Sequence, residues 1–215
     1  MSKPVLIIGS GGHAMVVIDI LRQLDFEIAA IISKDSTNIS KMFNNIKVLD
    51  DKEVLIEFPP NDVYLANGIG SMPDNKVRSK LFNYYKELNY KFLSIISPHS
   101  IVSQYAYLSE GVHILPGAIV NSGALIGENS IINSGAIIEH ECNIGKNNHI
   151  APGASLSGSV ITGEFVHVGT GANVIQGVEI GNNSTVGAGA TLTKDLDSNN
   201  KIYVAKPFLK KGITK

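Results

Sequence analysis

Residues 118–145 read AIVNSGALIGENSIINSGAIIEHECNIG, and a large aliphatic side chain recurs in them at every sixth position. The same step of six can be followed from Val102 to Leu192, where fifteen of 16 positions are aliphatic and the exception, Thr162, is also β-branched. An α-helix repeats at about 3.6 residues and a simple strand at about 2, so neither explains a strict six. The sequence therefore predicts a repeat architecture over this part of the chain.

The period of six indicates a short flat strand followed by a tight turn. Three such units close one coil of 18 residues, so residues 101–196 make slightly more than five coils. Stacked coils bury a continuous aliphatic core and pair their backbones with the coils above and below. We expect a left-handed parallel β-helix, with the handedness taken from resemblance to known hexapeptide proteins. The alternative, a β-sandwich, would space its strands about 8–12 residues apart with irregular turns.

The composition excludes several classes of protein. The 215 residues are 44% hydrophobic and 17% charged, which is incompatible with a disordered chain. A net charge of −1 argues against a general nucleic-acid or acidic-membrane binder. The single cysteine fits a reducing compartment, and no apolar stretch approaches the roughly 20 residues of a membrane span. We therefore expect a soluble cytoplasmic protein.

The composition also divides the chain near residue 98. Residues 101–196 contain 15 of the 21 glycines but only three of the 14 aromatic residues. Such a shift marks a domain boundary. We expect an α/β domain over residues 1–97, and a β-helix domain with a C-terminal tail over residues 98–215.

The first of these domains alternates apolar runs with amphipathic segments. Val5–Gly9 and Ile28–Ile32 are typical of strands, and apolar residues at helical spacing lie between them. Further strand-like runs at Val63–Ala66 and Phe92–Ile96 enclose a helical pattern over Lys76–Leu88. This alternation predicts a Rossmann-like half-domain with a parallel sheet flanked by helices.

A glycine-rich turn, GSGGHA at residues 9–14, joins the first strand to the first helix. Backbone N–H groups at such a helix start can bind phosphate, and the turn matches the dinucleotide pattern G-x-G-x-x-A. The unit has only about half the length of a full dinucleotide domain. Ser33 and Lys34 also stand where a ribose-binding acid is expected. We therefore predict a site for one nucleotide, with a purely structural glycine turn as the alternative.

The stretch IIEHEC, residues 137–142, places His140 between Glu139 and Glu141. A neutral imidazole can take a proton near pH 7, and a neighbouring carboxylate raises its basicity and fixes its tautomer. Adjacent side chains on a strand point to opposite faces, so this pairing requires a turn, which is where the hexad places the two residues. The pattern favours a general base, and a solvated charged corner is the alternative.

Three further histidines, His113, His149 and His167, share one position in their hexads and should line up on one outer face. His149 is half a coil away from His140, so only a neighbouring subunit could bring these two together. Cys142 occupies a small inward position and is expected to be a core residue. The scattered histidines give no metal-ligand spacing, so no metal is expected.

Several stretches resemble one family across nearly the whole chain: GSGGHA (9–14), LANGIGSMPDNKVR (65–78), the hexads, IIEHECNIGKNNHIAPGA (137–154) and VAKPFLKK (204–211). This family comprises the bacterial nucleotide-4-amino-sugar N-acetyltransferases and their relatives, the sialic acid O-acetyltransferases. The match to EHECxIGxxxHxxxGA is specific. The resemblance implies a homotrimer, an N-terminal domain that binds the nucleotide-linked sugar, and acetyl-CoA bound between neighbouring β-helices.

The same resemblance assigns roles to individual residues. His140 would be the general base, and Glu141 would strengthen it. The residues expected to contact the co-substrate acetyl-CoA are His149 at its thioester or pantetheine end and the backbone near Thr170 and Ala188. The residues expected to bind the nucleotide-linked sugar are Gly11, Gly12, His13, Ser33 and Gly68.

The expected reaction transfers acetyl from acetyl-CoA to the 4-amino group of a nucleotide-linked amino-deoxy sugar, with UDP as the expected carrier, in the synthesis of a cell-surface polysaccharide or glycan. The family often has acids where Ser33 and Lys34 stand, which leaves the base open. O-acetylation of a sialic or legionaminic-type acid is the nearest alternative. A non-enzymatic nucleotide-binding scaffold and a nicotinamide-dependent oxidoreductase are the others.

Overall fold

The computed structural model describes residues 3–33 and 43–202, so Lys34 and the VAKPFLKK stretch lie outside the described residues. The N-terminal elements are β1 Val5–Ile8, α1 Gly12–Gln23, β2 Ile28–Ile32, β3 Lys47–Leu49, α2 Asp51–Glu57, β4 Tyr64–Asn67 and α3 Val77–Glu87. The four strands form a parallel sheet in the order β3-β2-β1-β4. The predicted half-domain is therefore confirmed, and the predicted helix over Lys76–Leu88 is correct to within one residue at each end.

Helices cover both faces of this sheet, which explains why its strands are continuous apolar runs. Side chains alternate along β1, so Val5 and Ile7 pack in one core with α1. Leu6 and Ile8 point to the other face and share a core with Val54 of α2 and Tyr85 of α3. All four β1 side chains are at most 3% exposed.

After α3 the described chain consists mainly of two-residue strands joined by turns. They are β5 Ile95–Ile96, β6 Ile101–Val102, β7 Tyr107–Leu108, β8 His113–Ile114, β9 Ile119–Val120, β10 Leu125–Ile126, β11 Ile131–Ile132, β12 Ile137–Ile138, β13 Asn143–Ile144, β14 His149–Ile150, β15 Ser155–Leu156, β16 Ile161–Thr162, β17 His167–Val168, β18 Asn173–Val174, β19 Glu179–Ile180, β20 Thr185–Val186, β21 Thr191–Leu192 and β22 Lys201–Ile202.

These strands form three parallel sheets, which are the walls of a triangular prism. Sheet 1 contains β5, β8, β11, β14, β17, β20 and β22; sheet 2 contains β6, β9, β12, β15, β18 and β21; sheet 3 contains β7, β10, β13, β16 and β19. Pairs such as Ile126↔Ile144 and Ile150↔Val168 are separated by one coil of 18 residues. The predicted left-handed parallel β-helix of hexapeptide type is confirmed.

The inward aliphatic positions form one continuous core along the prism. Thr162 breaks the aliphatic series, yet it is only 4% exposed, and its hydroxyl oxygen accepts hydrogen bonds from the Asn148 side-chain amide and the Gly145 N–H. The buried polar pair of Thr162 and Asn148 therefore replaces one aliphatic position of the core without shifting the register. Cys142 is fully buried, with Sγ 3.2 Å from the carbonyl oxygen of Ser157, and burial raises the pKa of its thiol. Its predicted core position is confirmed.

The N-terminal domain packs on the outer face of sheet 1. Leu115 and Ile131 of the β-helix belong to the same apolar cluster as the buried residues of α1. The run Phe92–Ile96, predicted as one strand of the N-terminal sheet, divides between the domains. Phe92 makes a single bridge to Leu65, whereas Ile95–Ile96 pairs with β8 in sheet 1. A strand of the β-helix needs only two residues. Ile95–Ile96 can therefore pair in sheet 1 while Phe92, in the same run, contacts the N-terminal sheet.

Candidate functional site

His140 and Glu141 form the corner between sheets 2 and 3, directly after β12. His140 Nδ1 lies 3.3 Å from Glu141 Oε2, and the two side chains are 62% and 72% exposed. An ionised carboxylate only accepts hydrogen bonds, so this pairing places the hydrogen on Nδ1 and leaves the lone pair on Nε2. The pair can therefore remove a proton from a group that approaches Nε2.

Glu141 has a left-handed backbone, with φ of 58°, which is uncommon for a residue other than glycine. Its position in the neighbouring coils is occupied by Gly123 at φ 76° and Ser159 at φ 59°, so the conformation belongs to the corner itself. The Glu141 N–H donates to the carbonyl oxygen of Ser122 at 3.1 Å. The regular geometry of the coil thus provides the turn that lets Glu141 pair with His140.

Gly158 lies one coil further on at the corner position of His140 and is covered by its imidazole. A Cβ atom at residue 158 would lie 2.5 Å from Cε1 and 2.6 Å from Nε2 of His140. The ring can rest along the corner only because no side chain is present there. The absence of a side chain at Gly158 therefore permits this position of the His140 ring, which in turn sets the direction of the Nε2 lone pair.

Replacing Gly158 with alanine is expected to displace the imidazole while the fold remains, because the new methyl group meets a movable side chain and not backbone. A displacement of about 1 Å in a reacting group can lower turnover by about a hundredfold, so we expect a fall in kcat of about ten- to a hundredfold. Steady-state kinetics and thermal unfolding would measure the two effects. Gln176→Ala, at the same corner position one coil beyond, is the matched control. An unchanged kcat in Gly158→Ala would contradict this role.

His113, His149 and His167 lie in β8, β14 and β17, so their predicted alignment on one outer face is confirmed. His149 is 8% exposed; its Nε2 lies 3.0 Å from Asn133 Nδ2, and its ring makes an edge contact with His167 at 4.9 Å. Burial, with smaller contributions from His167 and Arg78, lowers the pKa of His149 to about 4. His149 is therefore a neutral imidazole at neutral pH. Among the described residues its buried Nδ1 has no hydrogen-bond partner.

His140 and His149 are not brought together within one chain. His149 lies on sheet 1, whereas His140 lies at the corner between sheets 2 and 3, which is the corner opposite sheet 1. A site that uses both side chains must therefore be formed by two copies of the chain.

Thr170 and Ala188 lie at the corner that follows sheet 1, at equivalent positions of successive coils. Both are exposed, and the Thr170 carbonyl oxygen accepts a hydrogen bond of 2.8 Å from the Gly189 N–H. Gly169, just before Thr170, leaves no room for a side chain, because a Cβ would lie 2.5 Å from the Ala188 nitrogen. Thr170 and Ala188 are thus stacked along an exposed edge of the prism, and an extended molecule could lie along this edge.

A cavity of about 510 Å³ opens at the carboxyl ends of β1 and β2. Its apolar wall consists of Ile8, Ile32, Ile69, Val77 and Leu81. Its other lining residues are Gly9, Ser10, Ser33, Asp51 and Lys80. Ser33, predicted at this place, has its hydroxyl 3.1 Å from that of Ser10. A crevice at the carboxyl ends of parallel strands is where α/β sheets bind nucleotides.

Beside this cavity, Gly11 and Gly12 begin α1 without a side-chain cap. Both are exposed, with open space where a Cβ would stand, so a phosphate could approach the free N–H groups of the first turn. Gly68 is different, since a Cβ there would lie 2.7 Å from the Ile8 carbonyl oxygen and 2.8 Å from Ala14 Cβ. Packing between β1 and α1 accounts for this glycine.

The His13 side chain turns away from the cavity and toward the β-helix. Its Nε2 lies 3.0 Å from His113 Nδ1, and the two rings stack with centroids 5.2 Å apart. Only the backbone N–H of His13 is therefore oriented by α1 toward a phosphate. Burial, with smaller contributions from Arg78 and His149, lowers the pKa of His13 to about 3, and burial likewise lowers the pKa of His113 well below its ordinary value.

Asp51 and Lys80 line the cavity, but neither residue was predicted from the sequence. They are separated by 29 positions and come from different helices, so no local spacing connects them. The sequence does contain a signal for the start of α2: Asp50 and Glu53 form a capping box, which fixes the first turn that carries Asp51.

Within residues 3–33 and 43–202, no group of three or more His, Cys, Asp or Glu side chains is arranged to hold a metal ion. None of the helices in these ranges is both long enough and apolar enough to cross a membrane.

Comparison with protein families identifies both domains. Residues 4–85 match the PglD N-terminal domain, and residues 123–158 and 159–194 match the six-repeat hexapeptide model of bacterial transferases. A search of curated protein sequences gave no match.

Several solved structures are similar to this chain over most of its length. PerB from Caulobacter crescentus, in complex with CoA and GDP-perosamine, is 34% identical, with a TM-score of 0.83 and 94% of each chain covered. The acetyltransferase domain of PglB from Neisseria gonorrhoeae, in complex with acetyl coenzyme A, is 26% identical, with a TM-score of 0.85, 97% of this chain covered and 100% of that chain. WeeI from Acinetobacter baumannii shares the fold at 23% identity, a TM-score of 0.80, and coverage of 93% and 96%.

The cavity at the glycine-rich turn, the prism with an exposed His–Glu corner, and these two sets of matches agree with one another. The protein is an acyltransferase with acetyl-CoA as its co-substrate, and the chain belongs to the hexapeptide-repeat sugar acetyltransferases that carry a PglD-type N-terminal domain.

Proposed function

We propose that this protein transfers acetyl from acetyl-CoA to the 4-amino group of a nucleotide-linked amino-deoxy sugar. The observation that carries the proposal is the His140–Glu141 pair at an exposed corner, in a chain 34% identical to a perosamine N-acetyltransferase solved with CoA and GDP-perosamine. The cavity beside the α1 turn supports a nucleotide as the carrier. UDP, the carrier expected from the sequence, remains a prediction.

In the proposed reaction the sugar amine attacks the thioester carbonyl carbon. A C–N bond forms, the C–S bond breaks, and His140 Nε2 takes the proton that the nitrogen loses. The protonated His140 then gives that proton to the departing sulfur of CoA, so the base returns to its starting state. Glu141 stabilises the imidazolium formed between these steps. Both substrates are held together, so no covalent enzyme intermediate is required.

The remaining predicted residues are assigned by their position. His149 lies on sheet 1 and is kept neutral by burial, and we assign it to the thioester or pantetheine end of acetyl-CoA. The exposed corner at Thr170 and Ala188 would hold the extended arm of the coenzyme. Gly11 and Gly12 would bind the pyrophosphate through backbone N–H groups. The His13 N–H and Ser33 would complete the nucleotide side, whereas Gly68, also predicted there, is explained by packing between β1 and α1.

We propose a homotrimer, because His140 and His149 can meet only between chains. The two walls beside the His140 corner also expose apolar side chains. Ile101 on sheet 2 is 66% exposed, and Tyr107, Leu125 and Ile161 on sheet 3 are 64%, 45% and 42% exposed. An apolar surface of this kind is typical of a protein interface. Sedimentation velocity should give one species at three times the chain mass of 23.0 kDa.

The activity can be tested by following thiol release from acetyl-CoA with a panel of acceptors. Nucleotide-linked 4-amino sugars are expected to be acetylated, and the same nucleotides linked to 4-hydroxy sugars are the matched controls. Acetylation of a free sialic or legionaminic-type acid instead of the amino sugars would support the O-acetyltransferase alternative. Acetyl-CoA binding without turnover on any amino sugar would contradict the proposal.

A further inference from the structure

The cavity of the N-terminal domain combines an apolar wall with a few polar and charged lining groups, as small-molecule sites usually do. Its wall is mostly aliphatic, which suits the flat faces of an aromatic base. Two side chains of opposite charge, Asp51 and Lys80, line the same cavity. The Asp51 carboxylate can only accept hydrogen bonds, and the Lys80 ammonium group can only donate them. Together they can select a base by the order of donors and acceptors on its edge.

Asp51 is held in a fixed orientation. It is the first residue of α2, and the Asp50 side chain caps this helix by accepting from the Lys52 and Glu53 N–H groups. The hydroxyl of Tyr85, whose ring is fully buried, donates to Asp51 Oδ1 at 2.7 Å. A carboxylate has about four acceptor sites, so this bond orients the group and leaves it able to accept more donors.

The edges of the common bases differ in a way that this pair can read. Guanine presents two adjacent donors, N1–H and the N2 amino group, next to the O6 acceptor. A carboxylate pairs with two adjacent donors, whereas the imide edge of uracil or thymine would put two carbonyl oxygens against it. An ammonium group complements the O6 acceptor.

We propose that this cavity binds the guanine of a GDP-linked sugar, with Asp51 accepting from N1–H and the N2 amino group and Lys80 donating to O6. This inference rests on the proposed function, since it concerns the carrier of the same acceptor sugar. Asp51 and Lys80 are then specificity-determining residues, and this proposal differs from the uridine carrier expected from the sequence.

The test uses calorimetry on the full chain with GDP, IDP, UDP and ADP. IDP is guanosine diphosphate without the N2 amino group, so the ratio of GDP to IDP affinity reports the contact of that group. One charge-assisted hydrogen bond corresponds to roughly a tenfold or larger effect. We expect GDP to bind at least about tenfold more tightly than IDP, UDP or ADP.

Two variants separate the contributions of the two charges. Asp51→Asn should lower GDP affinity about ten- to a hundredfold and bring the GDP to IDP ratio close to 1, because an amide N–H would face the N2 amino group. Lys80→Met, on the exposed side of α3, should weaken GDP and IDP equally, since both carry O6. Asp62→Asn, an exposed carboxylate outside the cavity lining, is the matched control.

Equal affinity for UDP and GDP, or a GDP to IDP ratio that is the same in Asp51→Asn, would overturn the guanine assignment. Acetylation of a UDP-linked amino sugar at full rate would overturn it while the acetyltransferase proposal stands. Binding of acetyl-CoA without binding of any nucleoside diphosphate would overturn both.

Discussion

Replacing His140 with alanine is expected to lower kcat by about a hundred- to ten-thousandfold, which is the usual contribution of a general base. The variant removes the imidazole that pairs with the Glu141 carboxylate at 3.3 Å. The imidazole is exposed and rests on Gly158 at the corner, so its loss leaves no cavity in the β-helix core. The affinity for acetyl-CoA and the thermal unfolding of the variant should therefore stay close to those of the wild type.

The control for His140→Ala is His99→Ala, which removes another exposed histidine of the β-helix domain. It should leave kcat unchanged. Glu141→Gln is expected to give a smaller loss than His140→Ala, since it keeps the histidine but removes the carboxylate that orients its ring. Turnover of His140→Ala within a few-fold of the wild type would rule out general base catalysis by this residue.

The β-helix could be predicted residue by residue because its period is encoded in every coil. The inward series, the positions of the strands and the turn at His140 and Glu141 all follow from a repeat that no insertion interrupts. Even Thr162, the single polar inward position, keeps the register, because Asn148 supplies a partner inside the core. Local sequence is sufficient when each coil contacts only its neighbours.

The nucleotide side of the molecule could be predicted less completely. The glycine-rich turn and Ser33 directly follow β1 and β2, the two strands of one β-α-β unit, and both border the cavity as expected. Asp51 and Lys80 reach it from separate helices, and His13 finds its partner 100 residues away in His113. Contacts between distant segments depend on how helices pack on the sheet and how the domains dock, and no spacing in the sequence encodes them.

The contact between the domains leads to the second prediction, an unusually steep loss of stability in acid. His13, His113, His149 and His167 are buried or half-buried along the interface and the outer face of sheet 1, and burial lowers the pKa of each. Arg78, itself buried and 4% exposed, is the charged group that faces the first three and lowers their pKa further. The folded chain therefore keeps these imidazoles neutral.

In the unfolded chain the same histidines titrate near pH 6.5. A group whose pKa is depressed by folding contributes its full stability above the unfolded pKa and loses it as the pH falls toward the folded pKa. For His13 the window runs from pH 6.5 down to about 3, and for His149 down to about 4. Throughout these windows the unfolded chain binds more protons, so the free energy of unfolding must fall as the pH falls.

Each proton bound only by the unfolded chain changes the free energy of unfolding by about 1.4 kcal/mol per pH unit. His13, His113 and His149 together should give a slope of about 3–4 kcal/mol per pH unit between pH 5 and 6, with a further contribution from His167. Across two units this is comparable with the stability of a typical domain, about 5–15 kcal/mol, so the free energy of unfolding should fall steeply below about pH 6. Urea unfolding at a series of pH values and one fixed protein concentration would measure the slope.

His113→Asn tests whether the interface histidines cause this acid sensitivity. Asparagine can still offer a hydrogen-bond partner to His13 Nε2 but does not titrate, so the slope should fall by about one proton, or about 1.4 kcal/mol per pH unit. The same change at the exposed His99 should leave the slope as it is. A wild-type slope below about 1 kcal/mol per pH unit would mean that these imidazoles take up protons within the folded protein, and that the docking of the two domains tolerates the charge.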